Sequence, residues 1–233
     1  MIGTRVGFGN PSGVGPRILI SVPTLSWVHK LVAQYLLQIV QIEARHNRCS
    51  FDIIMPTHCP FENNLHVIVE DIKKNEYDYW ISFDNDNPPM KNVIDLVFLD
   101  REIIGCPTPV WHFTNKKKGE RPIYWTGYDY CPEGDGYMEH DPKDGLQKVD
   151  AIGTGCFVIR ADIFNHPGLE GGCFTRKLNP DGTVYKGNDI SFCERAREAG
   201  FEIYCHYDYP CRHFANLELQ EVTVAFGALI KND

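Results

Sequence analysis

The chain has no Cys-x-x-Cys pair, no long apolar run and no excess of positive charge, and each absence removes a class of protein. Its nine cysteines are odd in number and scattered from Cys49 to Cys211, so neither a disulfide framework nor a structural zinc site is suggested, and reduced thiols are expected. No apolar stretch approaches the roughly 20 residues of a membrane-spanning helix. No secretory leader pattern opens the chain, and the one Asn-x-Ser combination, Asn10-Pro11-Ser12, is blocked by its proline. These features lead to the expectation of a soluble, cytoplasmic protein with no integral membrane segment. Lys and Arg number 23 against 31 Asp and Glu, a net charge of -8, which argues against a protein that binds nucleic acid or an anionic membrane surface. The compact basic run Lys116-Lys117-Lys118 reads as a solvated loop.

What is present suits one sizeable globular domain: 233 residues, 43% hydrophobic. The division expected is a single domain over 1–233, with a flexible N-terminal arm (1–16), a nucleotide-binding half (17–100) and a second half (101–233) that completes the acceptor and metal sites. The arm is glycine-rich and lacks an apolar period, and its glycines have neither a strand before them nor a helix after them, as a phosphate loop requires. Ile18 to Val22 then reads as a strand stopped by Pro23, and Leu31, Tyr35, Leu36, Ile39, Val40 and Ile42 follow at helical spacing. Phe51 to Met55, stopped by Pro56, repeats the device, and Phe61 to Lys74 is a second amphipathic stretch. Strands alternating with helices predict a parallel, Rossmann-like half.

The third strand, Tyr79-Trp80-Ile81-Ser82-Phe83, runs into Asp84-Asn85-Asp86-Asn87-Pro88-Pro89. Residues two apart on a strand share a side, so Asp84 and Asp86 are expected to converge while Asn85 points away. Converging carboxylates are most easily tolerated around a divalent cation, and oxygen ligands suit Mg²⁺ or Mn²⁺. An ordinary polar strand end before a Pro-Pro turn has the same composition, and the stretch alone leaves both readings open.

Beyond it, Val93 to Leu99 reads as helical, and residues 121–147 read as a long irregular segment dense in Tyr, Asp and Gly, suited either to a sugar's faces and hydroxyls or to a packed surface loop. Val149 to Ile159 reads as one strand whose Gly153 and Gly155 permit close approach to the backbone. Residues 168–186 read as a mobile lid. Asn188 reads as the N-cap of a helix that Gly200 ends, and Phe201 to Cys205 is a last strand leading to His213.

The order of these features resembles the metal-dependent glycosyltransferases of GT-A fold, in particular small ones related to the large family-2 group of bacteria, phages and large viruses. The features are a strand ending in Pro-Thr, a strand ending in Asp-x-Asp, a Gly-Thr-Gly-Cys strand, Asp189-x-x-Phe-Cys-x-Arg-Ala-x-x-Ala-Gly, and a late strand leading to His. The resemblance covers residues 17–215. It implies an α/β fold, a single GT-A (Rossmann-like) domain with a mixed, mostly parallel central sheet flanked by helices. It implies a UDP- or GDP-sugar donor and a glycan or other acceptor hydroxyl, with Mn²⁺ or Mg²⁺ as cofactor. By the same resemblance Asp84 faces the ribose and the metal, Asp86 and His213 ligate the metal, Pro23, Thr24 and Asn64 line the nucleotide pocket, and Asp189 is the general base of an inverting transfer. Where relatives carry Arg-Asn before the acidic strand, this chain has Asn63-Asn64, which leaves the arginine's contact unfilled. The alternatives are a retaining transferase, a non-catalytic carbohydrate-binding protein, and a sugar-phosphate nucleotidyltransferase, whose usual basic Gly-rich loop Pro23-Thr24-Leu25-Ser26 does not match.

Overall fold

Prolines and glycines punctuate the chain into short strands and three α-helices in the computed structural model, which describes residues 5–8, 15–111, 123–134 and 136–215. The elements are β1 (Val6–Phe8), β2 (Arg17–Ser21), α1 (Lys30–His46), β3 (Ser50–Ile54), α2 (Phe61–Asn75), β4 (Tyr79–Phe83), β5 (Ile103–Gly105), β6 (Pro109–Trp111), β7 (Ile123–Trp125), β8 (Gly127–Cys131), β9 (Gly136–Glu139), β10 (Leu146–Val149), β11 (Ala151–Ile152), β12 (Cys156–Arg160), β13 (Lys177–Leu178), β14 (Val184–Lys186), α3 (Asn188–Glu198) and β15 (Ile203–His206). As expected, Val93–Leu99 is helical, in the tighter 3₁₀ form.

Eight strands form the central sheet in the order β1-β3-β2-β4-β12-β5-β15-β10. β2, β3, β4, β5 and β15 run one way, and β1, β12 and β10 run against them. The sheet is therefore mixed and mostly parallel, with helices on both faces. Alternation along β2 assigns the faces: Ile18 and Ile20 join Val32, Leu36 and Ile39 of α1, while Leu19 joins Leu65, Ile68 and Ile72 of α2 and Trp80. Both clusters are closed to solvent, and at about 25 cal/mol per Å² of apolar surface their burial is the main source of stability. One polar chain crosses the core: the Trp80 indole donates to the Ser21 hydroxyl at 2.8 Å, and that hydroxyl lies 2.9 Å from Ser82 Oγ.

Several expectations are corrected. Part of the N-terminal arm is ordered, because Val6–Phe8 pairs antiparallel with Phe51–Ile53 and Phe8 stacks on Phe51. Most of the segment read as irregular forms strands, β7 to β10. Tyr137 is held there, its ring meeting Tyr130 at a tilted 5.4 Å and its hydroxyl accepting from Arg197 of α3 at 2.7 Å, while Tyr130 itself is exposed. The single strand read over 149–159 is divided among three: Val149 ends β10, β11 lies in a small sheet with β8 and β9, and β12 lies in the central one. The segment read as a lid is anchored up to Phe174, which is buried against Phe192 at 4.3 Å, and only the β13–β14 hairpin projects. The stretches 9–14 and Lys116-Lys117-Lys118 lie outside the described residues. All nine cysteines are free, and no helix among the described residues is long and apolar enough to cross a membrane.

Candidate active site

Open α/β sheets bind ligands beyond the carboxyl ends of their parallel strands, and that is where the acidic stretch falls. β4 ends at Phe83, so Asp84-Asn85-Asp86 lies in a turn, closed by the Asn87 N–H on the Asp84 carbonyl at 3.1 Å. The expected delivery by strand alternation is thus corrected: three neighbours hold the turn. The Asp84 N–H donates to Gly155 O at the start of β12 (3.0 Å), and the Asn85 carbonyl accepts from the His29 N–H (2.8 Å). The Asp86 carbonyl accepts from the Phe214 N–H (3.1 Å). Asn85 does point away from the acids, its amide donating to Trp27 O at 2.7 Å and lying 3.3 Å from Thr24 Oγ1.

Among the described residues no cation or hydrogen-bond donor pairs with the Asp84 carboxylate. Burial, then Asp86, Cys211 and Asp189, push it up to about 7. Burial also raises Asp86, opposed by the nearby His213 and His29 rings and by its own backbone N–H. The 211–214 segment runs beside the turn: Cys211 bridges to Pro89, the Arg212 N–H donates to Pro88 O, and Phe214 stacks on His29 at 4.1 Å. His213 is exposed and its Nδ1 lies 2.7 Å from Pro109 O. A carbonyl only accepts, so Nδ1 is the donor there, and Nε2 is the ring nitrogen left free to face a ligand. Two carboxylates and one imidazole nitrogen are a donor set that suits a hard divalent cation. Among the described residues, however, no three His, Cys, Asp or Glu are arranged as a formed metal site.

Asp189 lies in the first turn of α3. The N-cap position belongs to Gly187, which corrects the expectation for Asn188, now the first helical residue. Asp189 Oδ1 accepts from the Ile190 N–H at 2.8 Å. Burial raises this carboxyl against that hydrogen bond and the charge of Arg176, and Asp189 in turn bears on Asp84 and on Tyr128. The structure therefore brings Asp84, Asp86, His213 and Asp189 to one end of the sheet.

The remaining expected residues frame this end. Pro23 and Thr24 are buried, with the Thr24 hydroxyl spent on Trp27 O. Asn64 is buried with its amide on the His58 backbone, accepting from N–H at 2.6 Å and donating to O at 3.1 Å. Gly153 and Gly155 permit close approach as expected, and what approaches is protein: a Cβ on Gly155 would lie 2.7 Å from Asn87 Nδ2 and Thr108 Oγ1. Sequence reasoning missed His29, Cys211 and Arg176, and none has a local signature, since each reaches the site through a partner distant in the chain.

The mixed, mostly parallel sheet with helices on both faces defines the class by fold: α/β, Rossmann-like, of the GT-A kind. No family model matches the chain, and no curated protein matches it. Among solved structures it is similar to A197 from STIV, with TM-score 0.52 and 14% identity over 86% of each chain. It is also similar to GalNAc-T7, solved with UDP, GalNAc and Mn²⁺, with TM-score 0.51 and 9% identity, covering 87% of this chain and 44% of that one. The chain thus spans less than half of GalNAc-T7, and at these identities the shared property is the fold.

Proposed function

We propose that the protein is a metal-dependent glycosyltransferase that moves a sugar from a UDP- or GDP-sugar to an acceptor hydroxyl with inversion. The observation that carries this reading is the Asp84 carboxyl, pushed up to about 7 beside Asp86 and Asp189 with no cation paired to it, at the ligand-binding end of a GT-A sheet. GalNAc-T7, of the same fold, holds UDP and Mn²⁺. Asp84, Asp86 and His213 Nε2 would hold the cation, and a bound Mn²⁺ or Mg²⁺ would neutralise the diphosphate and stabilise charge on the leaving group.

Asp189 takes the proton of the attacking acceptor hydroxyl. A carboxylate made more basic by burial is better suited to that step than a solvated one. Thr24 and Asn64 keep the β2 and β3 loops in place through Trp27 and His58, so the pocket wall is fixed before the donor arrives. The test is a thermal-shift series with UDP, GDP and their sugars, with and without Mn²⁺, because a ligand that binds only the folded state raises its apparent stability. Stabilisation that requires both nucleotide and Mn²⁺ is expected; equal shifts with and without Mn²⁺ sink the metal assignment. The anomeric form of the product decides between inversion and retention.

A further inference from the structure

Arg176 is a cation at the mouth of this site with no role in the assignment above. The chain leading to it is fixed. Phe174 stacks on Phe192 and meets the edge of Trp80, and the Thr175 hydroxyl donates to Gly172 O at 2.6 Å. The Arg195 guanidinium donates to Gly168 O, Glu170 O and Gly172 O at 2.8, 2.6 and 2.9 Å. Arg176 Nε pairs with Glu62, in the first turn of α2, and the Glu62 side chain is only 11% exposed. Among the described residues the guanidinium makes no other ion pair or hydrogen bond, and its side chain is 46% exposed. The Nε edge is therefore paired while the terminal nitrogens stay open.

The starts of α2 and α3 both face the carboxyl ends of the parallel strands, and Arg176 bridges them, paired with Glu62 on one side and felt by Asp189 on the other. We propose that Arg176 binds the donor diphosphate, its terminal nitrogens donating to non-bridging phosphate oxygens, and stays with the nucleoside diphosphate as it departs. A guanidinium already oriented by a buried carboxylate loses little side-chain freedom on making a paired contact, and its planar fork matches phosphate oxygens. Glu62 neutralises much of the charge at long range, so the contribution comes from directed hydrogen bonds.

This inference rests on the glycosyltransferase reading, and titration calorimetry on the full chain separates the two. The probes are UDP and GDP with Mn²⁺, each beside its parent nucleoside, on the parent, Arg176→Ala and Arg176→Lys. Loss of the paired contact is expected to weaken diphosphate binding about ten-fold to a hundred-fold in Arg176→Ala and leave nucleoside binding unchanged. Arg176→Lys, which keeps the charge without the fork, is expected to recover only part. Diphosphate affinity in Arg176→Ala within two-fold of the parent, or an equal loss for nucleoside and diphosphate, overturns the assignment of Arg176 alone. A parent that binds neither diphosphate overturns both readings.

Discussion

The two ends of the central sheet differ in how their charged groups are partnered. At the amino ends of β2 and β4 lies a cavity of about 770 Å³, lined among others by Ile72, Tyr77, Asp78, Tyr79 and Arg160. Arg160 and Asp78 there both have partners: Arg160 Nε lies 2.7 Å from Asp162, with Asp100 and Glu102 at 3.9 and 4.0 Å from its other nitrogens, and Asp78 accepts the Arg17 N–H at 2.7 Å. At the carboxyl ends the charge is unmatched, with Asp84 forced up to about 7 among like neighbours. Carboxylates without a counter-charge distinguish this end from the other.

The sharpest test of that contrast is Asp189→Asn, expected to lower kcat by about 10³-fold while UDP affinity in Mn²⁺ stays at the parent value; near-parental turnover removes Asp189 as the base. Asp86→Ala should weaken Mn²⁺-dependent UDP binding by at least about 100-fold, read by calorimetry, and unchanged binding would show that the acids hold no metal.

A smaller effect concerns pH, and its sign differs between site and frame. Asp84 has a folded value raised from 3.8 to about 7, so its contribution to stability is present at low pH and is lost as pH rises from about 4 through 7. Glu43 behaves oppositely. Burial raises it, but hydrogen bonds from Arg48 and Asn92 prevail and hold it below its ordinary 4.5, so its contribution is present above about pH 4.5 and is lost as pH falls through the lowered value. Urea midpoints across pH should show Asp84→Asn flattening the neutral decline and Glu43→Gln flattening the acid one. Smallest of all, Arg160→Ala at the large cavity should cost under about 1 kcal/mol and leave nucleotide binding untouched; a binding defect there would abolish the contrast between the two ends.

The sequence made the first half legible because Pro23, Pro56 and Pro88 end apolar runs cleanly and helical spacing fills the gaps between them. Asp84, Asp86 and Asp189 were legible as residues because their surroundings carry local patterns. The geometry was not. Whether Asp84 and Asp86 leave a strand or a turn depends on where pairing with β12 stops, and β12 arrives from the second half of the chain. The strands of the 123–139 meander hold at most five residues and mix Tyr with Gly and Asp, so no period develops. Thr24 and Asn64 could be named as pocket residues, yet their polar atoms go to backbone groups of Trp27 and His58, a choice visible only once the loops are placed.

The position of β12 bears on how the molecule can be taken apart. Residues 156–160 pair with every residue of β4 on one side, and 157–159 pair with β5 on the other, so a strand from the second half is the middle rung that joins the first half to the rest. A fragment ending near residue 100 would carry β2, β3 and β4 with all their apolar faces, but β4 would become a bare, hydrophobic edge ready to recruit any other strand. The first half of this protein is thus an anatomical description, with no counterpart that could be cut out, expressed alone and expected to stay in solution.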